Sequence, residues 1–398
     1  MTLIGPFRQI LTMDALPMKG PLRDDSLQII REGGVLVDGG RIRAVGAFAE
    51  LRDRATSVHE IQGDRVLIPG LIDSHTHLCF AGDRSADYAL KLGGAGYADI
   101  LAAGGGIHHT VAQTRKAGFD ELLHLTSMRM ERHRRQGVTT CEIKSGYGLD
   151  VDTELRMLQV IRDAGGVSTC LAAHVLPREF DSQESYLAHI RAELLPRLAS
   201  VGCSRVDLFY DDVAFHGRAA HDFLLHAKHS GFDLTLHADQ FSQGGAAMAA
   251  SLGARSADHL EAVSESAIAA LAASETVATV LPGACLGLGM PFPPARAMLD
   301  AGCALVIATD WNPGSAPMGH LVLQASVLAM NQKLSTAETF AGITFRAAHA
   351  LGLSDRGRLA AGLRADMAAF HAADIRDILY HQGNCPVTDL WIEGVYYP

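Results

Sequence analysis

The sequence predicts an α/β fold: a (β/α)8 TIM-like barrel with a small β-sandwich domain formed by the N- and C-terminal segments. The middle of the chain alternates short β-type runs with Ala- and Leu-rich helical stretches, and both ends contain short β-type runs punctuated by Gly. A length of 398 residues suits one large barrel with one small accessory domain. We therefore expect the β domain at 1–65 and 355–398 and the barrel at 66–354.

Both terminal segments contain short strands. Near the N-terminus, 35–37 and 41–45 flank an Asp-Gly-Gly turn at 38–40, which is the pattern of a β-hairpin. Similar β-type pieces near the C-terminus are 357–359, 365–370 and 387–392. Because the termini of a domain often lie close together, we expect both ends to join in one β domain with the barrel inserted between them.

The middle of the chain predicts eight barrel strands separated by helices such as 182–200 and 242–253. The predicted strands are 66–77, 137–146, 167–175, 205–212, 233–239, 254–260, 275–283 and 303–310. The first connection, 78–136, is too long for one helix, so we expect active-site loops plus a helix there. Its Gly-rich region, 93–106, is a candidate lid.

Composition narrows the class of protein. A net charge of −10 argues against nonspecific nucleic-acid binding, so an anionic substrate would need dedicated Arg or Tyr residues. Seven scattered Cys without a C-x-x-C pair indicate reduced thiols rather than a disulfide framework. Neither a signal-peptide pattern nor an apolar run of membrane-spanning length is visible, so we expect a cytoplasmic protein with no membrane partner.

The first predicted barrel strand ends in two histidines at alternate positions, His75 and His77. Residues two apart in a strand point to the same side, so the two imidazoles can face one point. Imidazole is a good ligand for zinc and similar divalent metals. A His-x-His pair also arises by chance in a chain with 19 His, so the neighbouring strand ends must decide.

Polar side chains recur at the ends of the later strands, where barrels of this class carry their catalytic groups. These strand-end residues are His174, His237, His259 and Asp310. We expect His75, His77, His237 and Asp310 to hold one divalent cation, which lowers the pKa of a bound water so that hydroxide forms near neutral pH. Asp310 could pass that water's proton to a leaving nitrogen, and His259 could stabilise the oxyanion or orient the water. A simple hydrogen bond at the rim is the alternative for His259.

This arrangement resembles the amidohydrolase superfamily, as does the Gly-x-x-Ala-Asp segment at 362–366. Many members carry a metal-bridging carboxylated lysine at the end of strand four, but strand four here has no lysine. Lys144 belongs to the end of strand two, where it could not take the bridging place. We therefore expect a mononuclear site.

Within that superfamily the chain most resembles the imidazolonepropionases. Two discriminating segments are Ser-Gly-Tyr-Gly at 145–148 and Thr-Asp-x-Asn-Pro-Gly-Ser at 309–315. The other matching segments are 75–84, 104–107, 142–144, 237–240, 257–260 and 281–283. The resemblance implies a small-molecule substrate, 4-imidazolone-5-propanoate, and its hydrolysis to N-formimidoyl-L-glutamate in L-histidine degradation, by metal-activated water attacking the ring amide carbonyl.

The resemblance also implies residues that bind the substrate. Arg84 matches the arginine that holds the substrate's carboxylate, and its planar fork suits that group. Tyr147 and His174 match positions that bind the ring and the carboxylate. Gln240 stands where some relatives carry Glu, so we expect it to hydrogen-bond to the ring and leave the base role to Asp310. The loop residues that match the product-binding positions are Asn312, Gly314 and Ser315.

Two alternatives stay open. One is another enzyme of the superfamily, either a different cyclic amidohydrolase or a deaminase of neutral heterocycles, and such a deaminase would have little use for Arg84. The other is a non-catalytic barrel that serves as a binding module, which would have no need of the full ligand set. The glycines at 104–106 do not form the G-x-G-x-x-G motif of nucleotide-binding folds. The residues around Ser145 do not form the G-x-S-x-G motif of serine hydrolases, which argues against a covalent serine mechanism. Three His with one Asp suit zinc or iron, and a homodimer is the default assembly.

Overall fold

The computed structural model describes residues 1–94, 96, 99 and 103–398. Part of the predicted lid, residues 95, 97, 98 and 100–102, lies outside the described residues. The α/β fold class with a TIM-like barrel and a separate β domain from both termini is confirmed: within the described chain, eight parallel strands form a barrel-like sheet. The terminal strands form a single mixed sheet, where the sequence predicts a β-sandwich.

The strands fall into three groups along the chain. Those of the N-terminal segment are β1 (Thr2–Leu11), β2 (Ile29–Asp38), β3 (Arg41–Ala47), β4 (Ser57–Glu60) and β5 (Val66–Pro69). Those of the barrel are β6 (Leu71–Asp73), β7 (Val138–Lys144), β8 (Val167–Ala173), β9 (Arg205–Tyr210), β10 (Asp233–Ala238), β11 (Ser256–His259), β12 (Val277–Val280) and β13 (Leu305–Ile307). Those of the C-terminal segment are β14 (Met367–Phe370), β15 (Val387–Ile392) and β16 (Val395–Tyr397).

Most helices surround the barrel and connect its strands, and the first and the last belong to the terminal segments. Before β10 they are α1 (Phe48–Leu51), α2 (Ser85–Leu92), α3 (Ile107–Lys116), α4 (Phe119–Arg134), α5 (Val151–Asp163), α6 (Gln183–Glu193) and α7 (Gly217–His229). After β10 they are α8 (Gly245–Leu252), α9 (Glu265–Ala273), α10 (Pro282–Leu288), α11 (Ala295–Asp300), α12 (Leu321–Gln332), α13 (Thr336–Gly342), α14 (Phe345–Ala350) and α15 (Ile375–Tyr380).

Helix α5 shows how these helices form and dock. It begins where the Asp150 carboxylate accepts a hydrogen bond from the backbone N–H of Thr153 (2.8 Å), which satisfies one of the free donors of the first turn. Leu155, Leu158 and Ile161 follow at helical spacing and are buried against the barrel. The spacing of apolar residues therefore fixes which face of the helix covers the sheet.

Each barrel strand pairs in parallel with the next one along the chain, from β6 to β13. The barrel closes between the ends of β6 and β13. There Thr309 donates its backbone N–H and its hydroxyl to the Asp73 carboxylate (3.0 and 2.6 Å), and Asp310 donates its N–H to the His75 carbonyl (3.0 Å). His77 then donates its N–H to the Trp311 carbonyl (2.9 Å). The closing seam thus runs through three of the predicted metal ligands.

The predicted strand 66–77 is wrong as a single barrel strand. Val66–Pro69 pairs in parallel with β1 and antiparallel with β14, so it belongs to the mixed sheet, and the barrel begins at Leu71. A continuous apolar run carries no periodicity that could reveal a change of sheet. The limits 1–65, 66–354 and 355–398 stay a prediction, and this pairing favours a first limit near Gly70.

The terminal strands curl around a small core. The predicted hairpin is confirmed by the antiparallel pairing of β2 with β3, and Gly39 and Gly40 turn between them with φ of 57° and 76°. Trp391 on β15 meets Phe7 on β1 edge to face, with ring centroids 6.1 Å apart, although two strands separate β15 from β1 in the sheet. Neighbouring strands lie about 4.8 Å apart, so the sheet bends back on itself to bring the rings together.

The structure also bears on the cysteines and on membrane-spanning segments. All seven cysteines are buried with free thiols within the described chain. Among the described residues, no helix combines the length and the apolar character needed to cross a bilayer.

Candidate active site at the rim of the barrel

A cavity of about 830 Å³ opens at the rim formed by the C-terminal ends of the barrel strands. It brings together nearly all of the residues that the sequence singled out, from connections that are far apart along the chain. Those that line it are His77, Arg84, Tyr147, His174, His237, Gln240, His259, Asp310, Asn312, Gly314 and Ser315. His75 does not line the cavity, but it is fully buried beside His77 and His237.

Four potential ligand atoms converge at the bottom of this cavity. Asp310 Oδ1 lies 3.3 Å from His77 Nε2 and 3.5 Å from His75 Nε2, and His77 Nε2 lies 3.3 Å from His237 Nε2. A tetrahedral site with metal–ligand bonds of about 2.0–2.1 Å has edges of about 3.3–3.4 Å. These three separations fit the edges of such a site, and the ligand atoms of His75, His77 and His237 lie within 4.8 Å of one another.

A second observation supports the fit. His75 Nε2 is buried and has no hydrogen-bond partner among the described residues. A buried nitrogen without a partner is costly, and a metal ion at the centre of the cluster would satisfy it. His75, His259 and Asp310 also come close enough to share an ion, so His259 lies beside the same point.

Carboxylates on other barrel strands orient two of the histidines. The Nδ1–H of His75 donates to Asp258 Oδ2 (2.7 Å), and His237 Nδ1 lies 3.0 Å from Asp207 Oδ2. With Nδ1 facing a carboxylate, each ring keeps the Nε2 lone pair for the cluster. Burial and the nearby Lys144 lower the pKa of His75 well below its usual value, so its ring is neutral near pH 7.

The backbone is unusual at the two residues that the sequence predicts to be catalytic. Asp310 has a φ of 52° and His259 a φ of 88°, in the left-handed region that side chains other than Gly rarely adopt. Such strain costs on the order of 1–3 kcal/mol per residue and concentrates at functional sites. His259 Nδ1 lies 3.5 Å from Glu261 Oε1, and this carboxylate, with Asp310, outweighs the effect of burial and raises the pKa of His259.

Arg84 stands on another wall of the cavity, at the start of α2. Its Nε donates to the Asp87 carboxylate, which also accepts the backbone N–H of Gly106 (2.9 Å). A Cβ at Gly314 would lie 3.3 Å from Arg84 Nη1, so the guanidinium packs directly against the Gly314 backbone. Asp87 and Gly314 thus fix the guanidinium from two sides.

Three aromatic rings form the wall next to the ligand cluster. His174 stacks on His77 with ring centroids 5.3 Å apart, and Tyr147 lies 5.5 Å from His174. The Nδ1–H of His174 donates to the Gly146 carbonyl (3.0 Å), which leaves its Nε2 as an acceptor. Burial and the nearby His77 lower the pKa of His174 well below its usual value. The stacked rings of this wall therefore offer a flat surface against which a small ring can pack.

The side chain of Asn312 is occupied within its own loop. Its amide nitrogen donates to the Asp310 carbonyl (2.7 Å), and its amide oxygen accepts the backbone N–H groups of Gly314 and Ser315 (2.8 Å each). Asn312 therefore shapes the loop after Asp310, and a direct contact of its amide with a ligand would require breaking these bonds. The product-binding roles assigned to Asn312, Gly314 and Ser315 stay predictions.

Sequence reasoning assigned no role at the site to the charged residues beneath the ligand cluster. Each of them is only 1% exposed, and they are Glu142, Lys144, Asp207 and Asp258. The available signal was an ionisable residue within an otherwise apolar strand, as in the Val-Asp-Leu-Phe segment at 206–209.

Known proteins resemble this chain along its whole length. A profile described as "Amidohydrolase family" matches residues 84–380, and one described as "Imidazolonepropionase-like composite domain, bacteria" matches residues 33–55. An imidazolonepropionase from Deinococcus radiodurans is 42% identical over 398 residues, covering 99% of this chain and 98% of the relative. One from Rubrobacter xylanophilus is 42% identical over 379 residues, covering 92% and 91%.

Solved structures share the fold at low sequence identity. An adenosine deaminase from Xanthomonas campestris with bound zinc has a TM-score of 0.71 at 20% identity, covering 99% of this chain and 92% of that one. An atrazine chlorohydrolase from Arthrobacter aurescens complexed with zinc has a TM-score of 0.69 at 18% identity, covering 100% and 95%. At such identities the likeness concerns the fold alone.

Proposed function

The chain belongs to the amidohydrolase family and, within it, to the imidazolonepropionases, and from this membership we propose how the barrel rim carries out the reaction. The enzyme hydrolyses a cyclic amide in L-histidine degradation, opening 4-imidazolone-5-propanoate to N-formimidoyl-L-glutamate. The observation that carries the proposal is one cavity that holds both a converging His/Asp ligand cluster and a fixed arginine.

His75, His77, His237 and Asp310 would hold one divalent metal ion, zinc or iron. The short separations of their ligand atoms support this assignment, as does the buried Nε2 of His75. Zinc is present in the cited deaminase and chlorohydrolase, and three imidazoles with one carboxylate suit iron equally well. When bound, the ion lowers the pKa of a water molecule and polarises a carbonyl oxygen.

Asp310 moves the proton. Hydrolysis adds the oxygen of water to the ring carbonyl carbon, breaks the bond from that carbon to the ring nitrogen, and delivers a proton to that nitrogen. Asp310 Oδ1 belongs to the ligand cluster, which leaves Oδ2 to accept the proton of the water and pass it on. Burial opposes ionisation, but the hydrogen bond and charge of His77 lower the pKa of Asp310, so it is ready to accept a proton at neutral pH.

His259 stabilises the oxygen of the ring carbonyl as negative charge develops on it. Its Nδ1 faces Glu261, which turns Nε2 toward the cluster where that oxygen would lie. Donors aimed in advance at a developing charge act strongly in a site from which water is excluded.

The remaining cavity residues place the substrate. Arg84 pairs with the propanoate carboxylate, Tyr147 and His174 pack against the ring, and Gln240 hydrogen-bonds to it. The product would lie against the loop that contains Asn312, Gly314 and Ser315, which lines the cavity. Because the N–H groups of Gly314 and Ser315 already donate to Asn312, binding through them requires this loop to rearrange. A homodimer in the cytoplasm remains the expectation for the working enzyme.

The ultraviolet absorbance of imidazolonepropionate tests this proposal. We expect purified enzyme to accelerate its decay, a chelator to abolish the acceleration, and zinc or ferrous iron to restore it. Metal-replete protein that does not accelerate the decay would overturn the proposal.

A further inference from the structure

Lys144, at the end of β7, is buried directly beneath the ligand cluster. Its side chain is only 1% exposed, and its Nζ donates to Glu142 Oε1 (3.0 Å) and lies 2.9 Å from Asp207 Oδ2 and 3.8 Å from Asp258 Oδ2. One ammonium group thus faces three carboxylates in the interior of the barrel. None of the proposed catalytic steps uses it.

Two of these carboxylates hold metal-ligand histidines. Asp207 Oδ2, the oxygen next to Lys144, is also the oxygen that faces His237 Nδ1 at 3.0 Å. Asp258 Oδ2 likewise lies between Lys144 and the Nδ1–H of His75. Lys144 therefore reaches two ligands, each through a single shared oxygen atom.

The third carboxylate holds the segment between the other pair of ligands. Glu142 Oε2 accepts the backbone N–H of Thr76 (3.3 Å), which stands between His75 and His77. The hydroxyl of Thr76 donates to the Glu142 carbonyl (2.6 Å), and the backbone N–H of Lys144 donates to the Thr76 carbonyl (2.9 Å). The strand end that carries Lys144 is thus bonded to the strand end that carries the His-x-His pair.

The balance of charge makes the ammonium group essential to this arrangement. Among the described residues, no other Lys or Arg nitrogen lies within 4.0 Å of these three carboxylates. Removing one partner of a buried ionic group leaves the remaining charges uncompensated, so they repel each other and rearrange or take up protons. Either response would release the imidazoles from their present orientation.

We propose that Lys144 is a positioning residue that, through Asp207, Asp258 and Glu142, holds His237 and the His75–His77 segment in the geometry that binds the metal. The proposal rests on the metal site proposed above. It concerns the affinity and geometry of that site, and Lys144 touches neither the substrate nor the metal.

The test compares metal binding by the wild-type enzyme and by Lys144→Met, which keeps the length of the side chain and removes its charge. Metal-stripped proteins are titrated with Zn²⁺ against a chromophoric chelator, and the visible spectrum of the Co²⁺-loaded proteins reports ligand geometry. We expect the Kd for Zn²⁺ to rise by about 10–100-fold, the usual effect of losing such a supporting contact, and the Co²⁺ spectrum to change.

Arg346→Met is the matched control, because Arg346 is also fully buried but donates to the carbonyls of Pro17 and Gly20, away from the ligand cluster. It should bind Zn²⁺ as the wild type does, even if it unfolds at a lower temperature. If Lys144→Met does not fold, Glu142→Gln decides, since it keeps the side-chain volume and weakens one of the three links. We expect a smaller but measurable loss of Zn²⁺ affinity from it.

The outcomes separate the two proposals. A wild-type protein that takes up no metal would refute the ligand set itself. A wild-type protein that binds Zn²⁺, together with folded variants at Lys144 and Glu142 that bind it equally well and give the same Co²⁺ spectrum, would refute the positioning role alone.

Discussion

At the rim of the barrel, ionisable side chains are buried and paired with one another, whereas the ion pairs of the terminal sheet are partly or largely exposed. Lys144 and Asp207 have side chains that are at most 1% exposed, but Arg8 and Asp64, a pair on the terminal sheet, are 50% and 57% exposed. The core of the terminal sheet is instead apolar, with Trp391 and Phe7 in contact. The rim thus retains buried charge that stability alone does not require, so we expect substitutions there to change catalysis and substitutions in the terminal sheet to change only stability.

The largest effect should come from Asp310→Asn. The amide cannot accept the proton of the attacking water, so kcat should fall by on the order of 10²–10⁴-fold, the usual contribution of general acid–base catalysis. Steady-state kinetics at saturating substrate measure kcat, and metal analysis of the same samples shows how much metal each protein retains.

Asp222→Asn provides the control for Asp310→Asn, because Asp222 lies on α7 with a side chain that is 52% exposed. Its kcat should match that of the wild type. If Asp310→Asn retained its metal and kept kcat within tenfold of the wild type, the proton would have to travel by another residue.

A smaller effect should follow from Arg84→Ala, which removes the cation expected to bind the propanoate carboxylate. Hydrogen bonds to charged groups contribute about 1.5–3 kcal/mol, so kcat/KM should fall by about 10–100-fold, mainly through KM. Arg84→Lys keeps the charge but lacks the planar guanidinium, so its kcat/KM should lie between those of the wild type and Arg84→Ala.

A substrate analogue tests the same contact from the other side. For the amide of the propanoate side chain, which carries no charge, Arg84→Ala and the wild type should give similar kcat/KM. Equal losses for the charged and the neutral compound would show that Arg84 supports the fold of α2 rather than the carboxylate.

The convergence of the proposed ligands could be predicted from the sequence because these residues stand in local patterns at strand ends. His75 and His77 form a two-residue repeat at a strand end, and Asp310 closes an apolar run. The rim geometry of a parallel barrel then brings such strand ends together, whatever their separation along the chain. Local patterns and one architectural rule were therefore sufficient.

The supports of the ligands could not be predicted in this way. Lys144 lies on β7, Asp207 on β9 and Asp258 on β11, and their meeting depends on the register and stagger of strands that are not neighbours. A change of register by one residue would turn each side chain to the other face of the sheet, and the sequence does not specify the stagger. The division of 66–77 into β5 and β6 escaped prediction for a related reason, since both sheets bury apolar residues.

The smallest effect concerns the terminal sheet, where Asp374 caps α15. Its carboxylate accepts the backbone N–H of Arg376 (3.0 Å) and the side chains of Arg376 (2.6 Å) and Gln9 (3.0 Å). Asp374→Ala removes a helix cap worth about 1 kcal/mol. With about 400 residues unfolding, Tm should fall by about 1 °C, while kcat/KM stays at the wild-type value.

The pH dependence of the fall in Tm caused by Asp374→Ala shows whether it comes from the charge of the Asp374 carboxylate. Hydrogen bonds from Arg376 hold the pKa of Asp374 well below its usual value, so the stabilisation is fully present above the unfolded pKa of about 3.9. It is lost as the pH falls from there through the lower, folded pKa, so the Tm difference from Asp374→Ala should be constant between pH 7 and 5 and shrink below about pH 4. Asp374→Asn keeps a capping oxygen without the charge, so at pH 7 it should lower the Tm by less than Asp374→Ala does. A fall in kcat/KM for either variant would contradict the separation between the terminal sheet and the rim, because Asp374 touches no residue of the cavity.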